Sequence, residues 1–161
     1  MYNALYKNQG ACIGWVTFGT NDTLEATVDW FRPPVQGSAY YPAGFTTNVS
    51  LVGEKYLASP EAEPLAAGRC QITLAGGNLA SPIVEAVAVD AAGHVSVLPP
   101  NDKNLTITLR LKTGQFTGRF THPALNETIG FNGCILQNSE IGAGHFLGTT
   151  ESGSVILEPV P

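Results

Sequence analysis

The feature that most limits how this chain can fold is an alternation of apolar and polar residues with period two, repeated along nearly its whole length. In Thr23-Leu24-Glu25-Ala26-Thr27-Val28-Asp29-Trp30 the apolar residues Leu24, Ala26, Val28 and Trp30 share one face, while Thr23, Glu25, Thr27 and Asp29 share the other. Leu105-Thr106-Ile107-Thr108-Leu109-Arg110-Leu111 repeats the pattern. Such segments are half-buried antiparallel strands with one wet face. Similar runs occupy residues 12–19, 45–53, 70–75, 83–89, 94–98, 115–121, 129–137, 142–149 and 154–158. Turns rich in Gly, Asn and Asp separate them, and Pro33-Pro34 ends the second strand because proline cannot donate to a central ladder. Residues 54–68, with Pro60 and Pro64, read as a long loop holding one helical turn. The expectation is a single all-β domain over residues 1–161, an antiparallel meander of about eleven short strands closed into a β-barrel or flattened into a sandwich. Closure removes exposed strand edges. No βαβ unit is present to build a parallel nucleotide-binding sheet.

Charged residues make up only 13% of the chain, and the net charge is −5. The eight Lys and Arg form no basic run, so the chain lacks the electrostatic footprint of a nucleic-acid binder. No segment approaches the ~20 apolar residues that cross a bilayer as a helix. The first residues, Met1-Tyr2-Asn3-Ala4-Leu5-Tyr6, carry neither the basic nor the apolar region of a signal peptide. Three cysteines, Cys12, Cys70 and Cys134, cannot all pair within one chain, and no CxxC motif exists. They read as buried small hydrophobes, with one disulfide plus one free thiol as the alternative.

Several motifs carry a family likeness. Leu5-Tyr6-Lys7-Asn8-Gln9-Gly10, Gly14-Trp15-Val16-Thr17-Phe18, Trp30 and Tyr41-Pro42-Ala43-Gly44-Phe45 come first. Leu74-Ala75-Gly76-Gly77-Asn78-Leu79, Lys112-Thr113-Gly114-Gln115-Phe116-Thr117-Gly118, Phe131-Asn132-Gly133 and Gly142-Ala143-Gly144-His145-Phe146-Leu147-Gly148-Thr149 follow. In this order they resemble the C-terminal β-rich module of large secreted or cell-surface proteins of Verrucomicrobia and related bacteria. The resemblance implies an extracellular or cell-surface module carried on a longer chain, and it supplies no catalytic residues. The chain begins at a point that is internal in that family, which predicts that it is part of something longer. It also has Cys134 and His145 where the family more often shows aliphatic and aromatic residues.

Those two residues define the only catalytic hypothesis the strands suggest. Setting Gln137 opposite Gly142 brings Cys134 opposite His145. Setting Phe120 opposite Phe131 brings Thr117 opposite Cys134 and Arg119 opposite Asn132. One face would then carry Cys134 as nucleophile, His145 as base and Arg119 as anion stabiliser, enough for a small hydrolase of activated esters or phosphoesters. A one-residue slip in register would dissolve the arrangement.

Other constellations are weaker. His94, His122 and His145 do not share a face and lack HxH or HExxH spacing, so no metal site and no cofactor is expected. Glu25 and Asp29 share a face but stand about 13 Å apart along one strand, beyond the separation of glycosidase carboxylates. No GxSxG occurs. Among the aromatic residues, Trp15 reads as core, whereas Trp30, Tyr40 and Tyr41 lie near strand ends and loops, where rings can stack on sugars. The functional expectation is a non-catalytic structural or adhesive module that contacts glycan or another cell-surface polymer. The alternatives are the Cys/His hydrolase and a barrel with a hollow apolar interior that holds a small molecule.

Overall fold

The structure is a computed structural model that describes residues 1–20, 22–58, 65, 68–90 and 92–160. The helical turn expected within residues 54–68 falls largely outside the described residues, as do residues 21 and 91 of two expected turns. The all-β expectation holds: the described residues form twelve antiparallel strands and no helix, hence no helix long and apolar enough to cross a membrane. Where the sequence reads as one domain over residues 1–161, the contacts group into two compact units, residues 1–55 and 56–161.

The first unit is a four-stranded sheet in the order β1-β2-β3-β4. Its strands are β1 (Tyr2–Leu5), β2 (Gly10–Phe18), β3 (Thr23–Arg32) and β4 (Phe45–Glu54). β3 keeps the alternation expected of it, burying Ala26 and Val28 and exposing Glu25, Thr27 and Asp29. β1 is the strand that periodicity alone does not reveal. It is too short to show a pattern, and it turns into β2 through Tyr6, Lys7 and Asn8, all with positive φ (52°, 58° and 66°).

The second unit contains β5 (Gly68–Gly76), β6 (Ile83–Val89), β7 (Val95–Val97), β8 (Thr106–Arg110), β9 (Gln115–His122), β10 (Glu127–Leu136), β11 (Ile141–Leu147) and β12 (Ser152–Pro159). They form one sheet in the order β7-β6-β5-β12-β11-β10-β9-β8. The sheet curls until its edge strands β7 and β8 lie beside each other, a nearly closed barrel. Inward positions hold Cys70, Ile72, Leu74, Val87, Ile107, Phe116, Phe120, Phe131, Ile135, Phe146, Val155 and Leu157, with Leu65 added from the preceding loop. Each phenylalanine buried this way stabilises the fold by roughly 1.5–3 kcal/mol before entropy is counted.

Glycines make room for these rings. Phe116 pairs across the ladder with Gly133, Phe131 with Gly118, and Phe146 with Gly153. A Cβ on any of the three glycines would run into the facing ring. Large meets small at these three pairs, which makes room for the rings, while Phe131 faces Phe146 and Phe120 faces Ile129 elsewhere in the ladder. His122, the last residue of β9, continues this inward face and is buried. Its Nδ1 accepts a hydrogen bond from the Ala124 N–H (3.3 Å), while its buried Nε2 has no partner.

Candidate functional site

The register corrects the proposed Cys/His pair. Cys134 faces Ala143 on β11 and Gln115 on β9, whereas His145 faces Asn132 and Ser154. Arg119 faces Gly130, not Asn132. Both hairpins sit two residues away from the assumed pairing. Between β9 and β10 the physical reason is size: the assumed register stacks Phe120 on Phe131 and Gly118 on Gly133, while the observed one sets Phe131 over Gly118, Phe116 over Gly133 and Phe120 against Ile129. Between β10 and β11 it is the turn over residues 137–140, which brings Leu136 opposite Ile141 and so Phe131 opposite Phe146. A two-residue shift preserves sidedness, so Thr117, Arg119, Asn132, Cys134 and His145 do share the outer face, and all are exposed.

Thr108, Thr117, Asn132, His145 and Ser154 form one polar row across five strands. Cys134 lies in the next row, a diagonal neighbour of His145 at roughly 7–8 Å between Cα atoms. Arg119 is four residues along β9 from the Cys134 row, about 13 Å away. All of these side chains are exposed, and their ladder positions do not bring them onto one reacting atom.

All three cysteines are free thiols. Cys70 lies in the core, where burial first and the Glu140 carboxylate second push its thiol above the usual range, as befits an inert packing residue. His94 is an exposed turn residue whose Nδ1 lies 3.0 Å from Asp90 Oδ2. Hydrogen bonds from His94, backbone and ring, hold the Asp90 carboxyl below its usual range. Among the described residues, no three His, Cys, Asp or Glu side chains are grouped so as to hold a metal ion.

The aromatic residues named for binding serve largely to pack the first unit. Trp30 is half-buried, meets Phe45 edge-on at 5.2 Å and donates its Nε1–H to Tyr6 Oη (3.1 Å). Tyr41 also meets Phe45 edge-on, at 5.3 Å. The Arg32 guanidinium lies over the rings of Tyr6 (5.0 Å) and Tyr41 (5.9 Å), and donates to Ser38 Oγ and the Tyr40 carbonyl. Tyr40 is half-buried, its carbonyl thus tied into this cluster.

The residue that sequence reasoning misplaced is Trp15. It is 89% exposed, far from the core position expected of it. It stands on the outward face of the four-stranded sheet, over an open groove of about 700 Å³ lined by Ile13, Trp15, Glu25, Thr27, Asp29 and Ser50 among others. Trp15 pairs with Thr27, which pairs with Ser50. Glu25 and Asp29 lie two residues either side of Thr27, so a carboxylate flanks the indole on each diagonal. Asn48 faces Asp29 and donates to its Oδ1 (2.9 Å). Ile13 (52% exposed) and Val52 (69%) extend the apolar part of this face.

The class that the fold and this surface define is an all-β chain of two antiparallel sheets, one nearly closed into a barrel and the other presenting an exposed indole between two carboxylates. No family model, curated protein or solved structure matches the chain.

Proposed function

We propose that this chain is a non-catalytic adhesive β module that works outside the cell or at its surface and contacts glycan through the outer face of its four-stranded unit. The observation that carries the reading is Trp15, a large flat ring left in water above a groove that also offers hydroxyl, amide and carboxylate groups. Exposing such a ring forfeits roughly 1.5–3 kcal/mol of burial, a cost that a protein recovers when the ring stacks on a ligand. Sugars suit this surface because their C–H faces stack on indole while their hydroxyls meet Thr17, Thr27, Ser50 and Asn48. The resemblance to modules of secreted bacterial proteins supports the same setting.

Saturable binding to an array of bacterial and plant polysaccharides tests the reading. Trp15→Ala is expected to weaken that binding by about tenfold or more, the equivalent of losing one stacked aromatic ring. Circular dichroism should remain unchanged, since the side chain is in water. Tyr41→Ala should instead lower the stability of the first unit, because Tyr41 packs on Phe45 and Arg32. An array on which wild type and Trp15→Ala behave alike would remove the proposal.

The non-catalytic part carries its own expected outcome. Because Cys134 and His145 lie in different rows, Cys134→Ala should leave hydrolysis of activated aryl esters and phosphoesters at the wild-type level. Turnover that vanished in that variant would return the hydrolase to first place.

A further inference from the structure

Charge on the Trp15 face is one-sided. The residues that share this face, read from the ladder pairings, include Glu25 and Asp29 and no lysine or arginine. The positive side chains of the first unit are engaged elsewhere or lie off the face. Arg32 is held by Tyr6, Tyr41, Ser38 and the Tyr40 carbonyl. Lys55 pairs with Asp22 at 3.2 Å, and Lys7 lies in the turn between β1 and β2. Glu25 and Asp29 flank the indole, whose electron-rich face itself attracts cations. The Met1 ammonium, the remaining positive group of the unit, is held by the Gly14 carbonyl at 2.6 Å. A ring between two carboxylates, with no lysine or arginine on its face, is complementary to a positive ligand and repels an anionic one.

We infer that the preferred ligand of this groove is a glycan bearing free amino groups, that is, a polymer of de-N-acetylated amino sugars. This rests on the glycan reading above and narrows it by charge. One ammonium sits over Trp15, ammonium groups on the flanking sugar units meet Glu25 on one side and Asp29 on the other, and neighbouring hydroxyls meet Thr17, Thr27 and Ser50. The open shape admits a chain that passes across the sheet, since the groove extends over three strands from Ile13 through Thr27 to Ser50 and Val52. Uronic or sulfated polymers would bring like charge onto the carboxylates, and neutral ones would leave both without a cationic partner.

The test is calorimetric titration of the full chain at low salt with four probes: a β-1,4-linked glucosamine hexamer, its fully N-acetylated form, the glucose hexamer, and hexalysine. The glucosamine hexamer is expected to bind about tenfold more tightly than either neutral hexamer, the combined effect of one cation–π contact and two exposed ion pairs. That margin should shrink as salt is raised. Glu25→Gln with Asp29→Asn should remove the margin while leaving the weaker neutral binding in place, and Trp15→Ala should weaken all three sugars. Both acidic residues are exposed, so the double variant should keep the circular dichroism spectrum of the wild type.

Equal binding of the charged and neutral hexamers would overturn the charge preference and leave the glycan reading intact. Binding of hexalysine with no binding of any hexamer would overturn both and point to a basic peptide. Silence from all four probes would overturn the charge preference, and the polysaccharide array would then decide the glycan reading separately.

Discussion

Phe146→Ala is expected to destabilise the eight-stranded unit by about 3–5 kcal/mol, as for other fully buried aromatic rings. Phe146 is 1% exposed and meets Phe120 edge-on at 5.2 Å. Its ring also covers two glycines, Gly153 on the paired strand and Gly77 at the end of β5. That last fact sets the size of the effect. When a ring is lost beside leucine or isoleucine, neighbouring side chains can lean into the space. Beside glycine there is only backbone held in a ladder, so on the Gly153 and Gly77 sides the cavity persists, and only Phe120 and Phe131 stand beside it with side chains that could lean in. Urea denaturation followed by circular dichroism should show a lower midpoint at unchanged slope. A loss below about 1 kcal/mol would mean that the rings repack around the gap.

The second large effect runs the other way, by adding atoms. Gly133→Ala puts a methyl where the Phe116 ring and the Ala143 carbonyl already stand. A ring can rotate aside at some cost, but the carbonyl belongs to the adjoining strand and moves only if the strand moves. Overpacking of this kind costs roughly 1–3 kcal/mol where side chains absorb it, and more where backbone must. The expected outcome is a loss at or above the upper end of that range. Gly130→Ala, three residues earlier on the same strand, is the control. It faces out, with its nearest neighbour, the Gly118 carbonyl, at 3.8 Å from the added carbon. It should change stability by no more than about 0.5 kcal/mol. Equal losses from the two substitutions would show that strand propensity, not contact with Phe116, governs these positions.

These glycines also explain what could be read from the sequence and what could not. Alternation in Leu105 to Leu111 and Thr23 to Trp30 reveals strands and tells which side chains share a face, because a strand has only two sides. It does not fix how far one strand slides along the next, since a slip by two residues leaves every side chain on its own face. The pairing of Phe120 with Phe131 looked consistent on apolar character alone. Volume decides against it, in favour of Phe131 over Gly118. Turn geometry adds to the same outcome: the β10–β11 reversal is a tight turn over residues 137–140, with Glu140 at φ 54°, so Leu136 meets Ile141.

Trp15 was hidden for a different reason. In β2 both alternating sets are apolar, Cys12, Val16 and Phe18 on one side and Ile13 and Trp15 on the other, so periodicity does not say which is wet. The structure leaves Phe18 exposed on one side and Trp15 on the other. What the sequence did offer was Glu25, Thr27 and Asp29 on the neighbouring strand, already recognisable as a solvent face. Pairing β2 to β3 through that face places Trp15 in water.

The position of β12 has a consequence for the order in which the second unit can assemble. β12 follows β11 in the chain but joins it to β5, so that Ser154 lies beside Ala75, 79 residues earlier. During synthesis, β5 to β7 and β8 to β11 emerge as two local meanders, each with an unpaired strand waiting for the same missing neighbour. Closing so long a loop is slow compared with hairpin formation, and until it happens both waiting strands are open to pairing with another chain. β12 thus acts as the keystone of the sheet: it joins two sticky half-sheets into one nearly closed barrel, and a nascent chain halted before it would carry the edges of β5 and β11 open, in addition to those of β7 and β8, into the crowded cell.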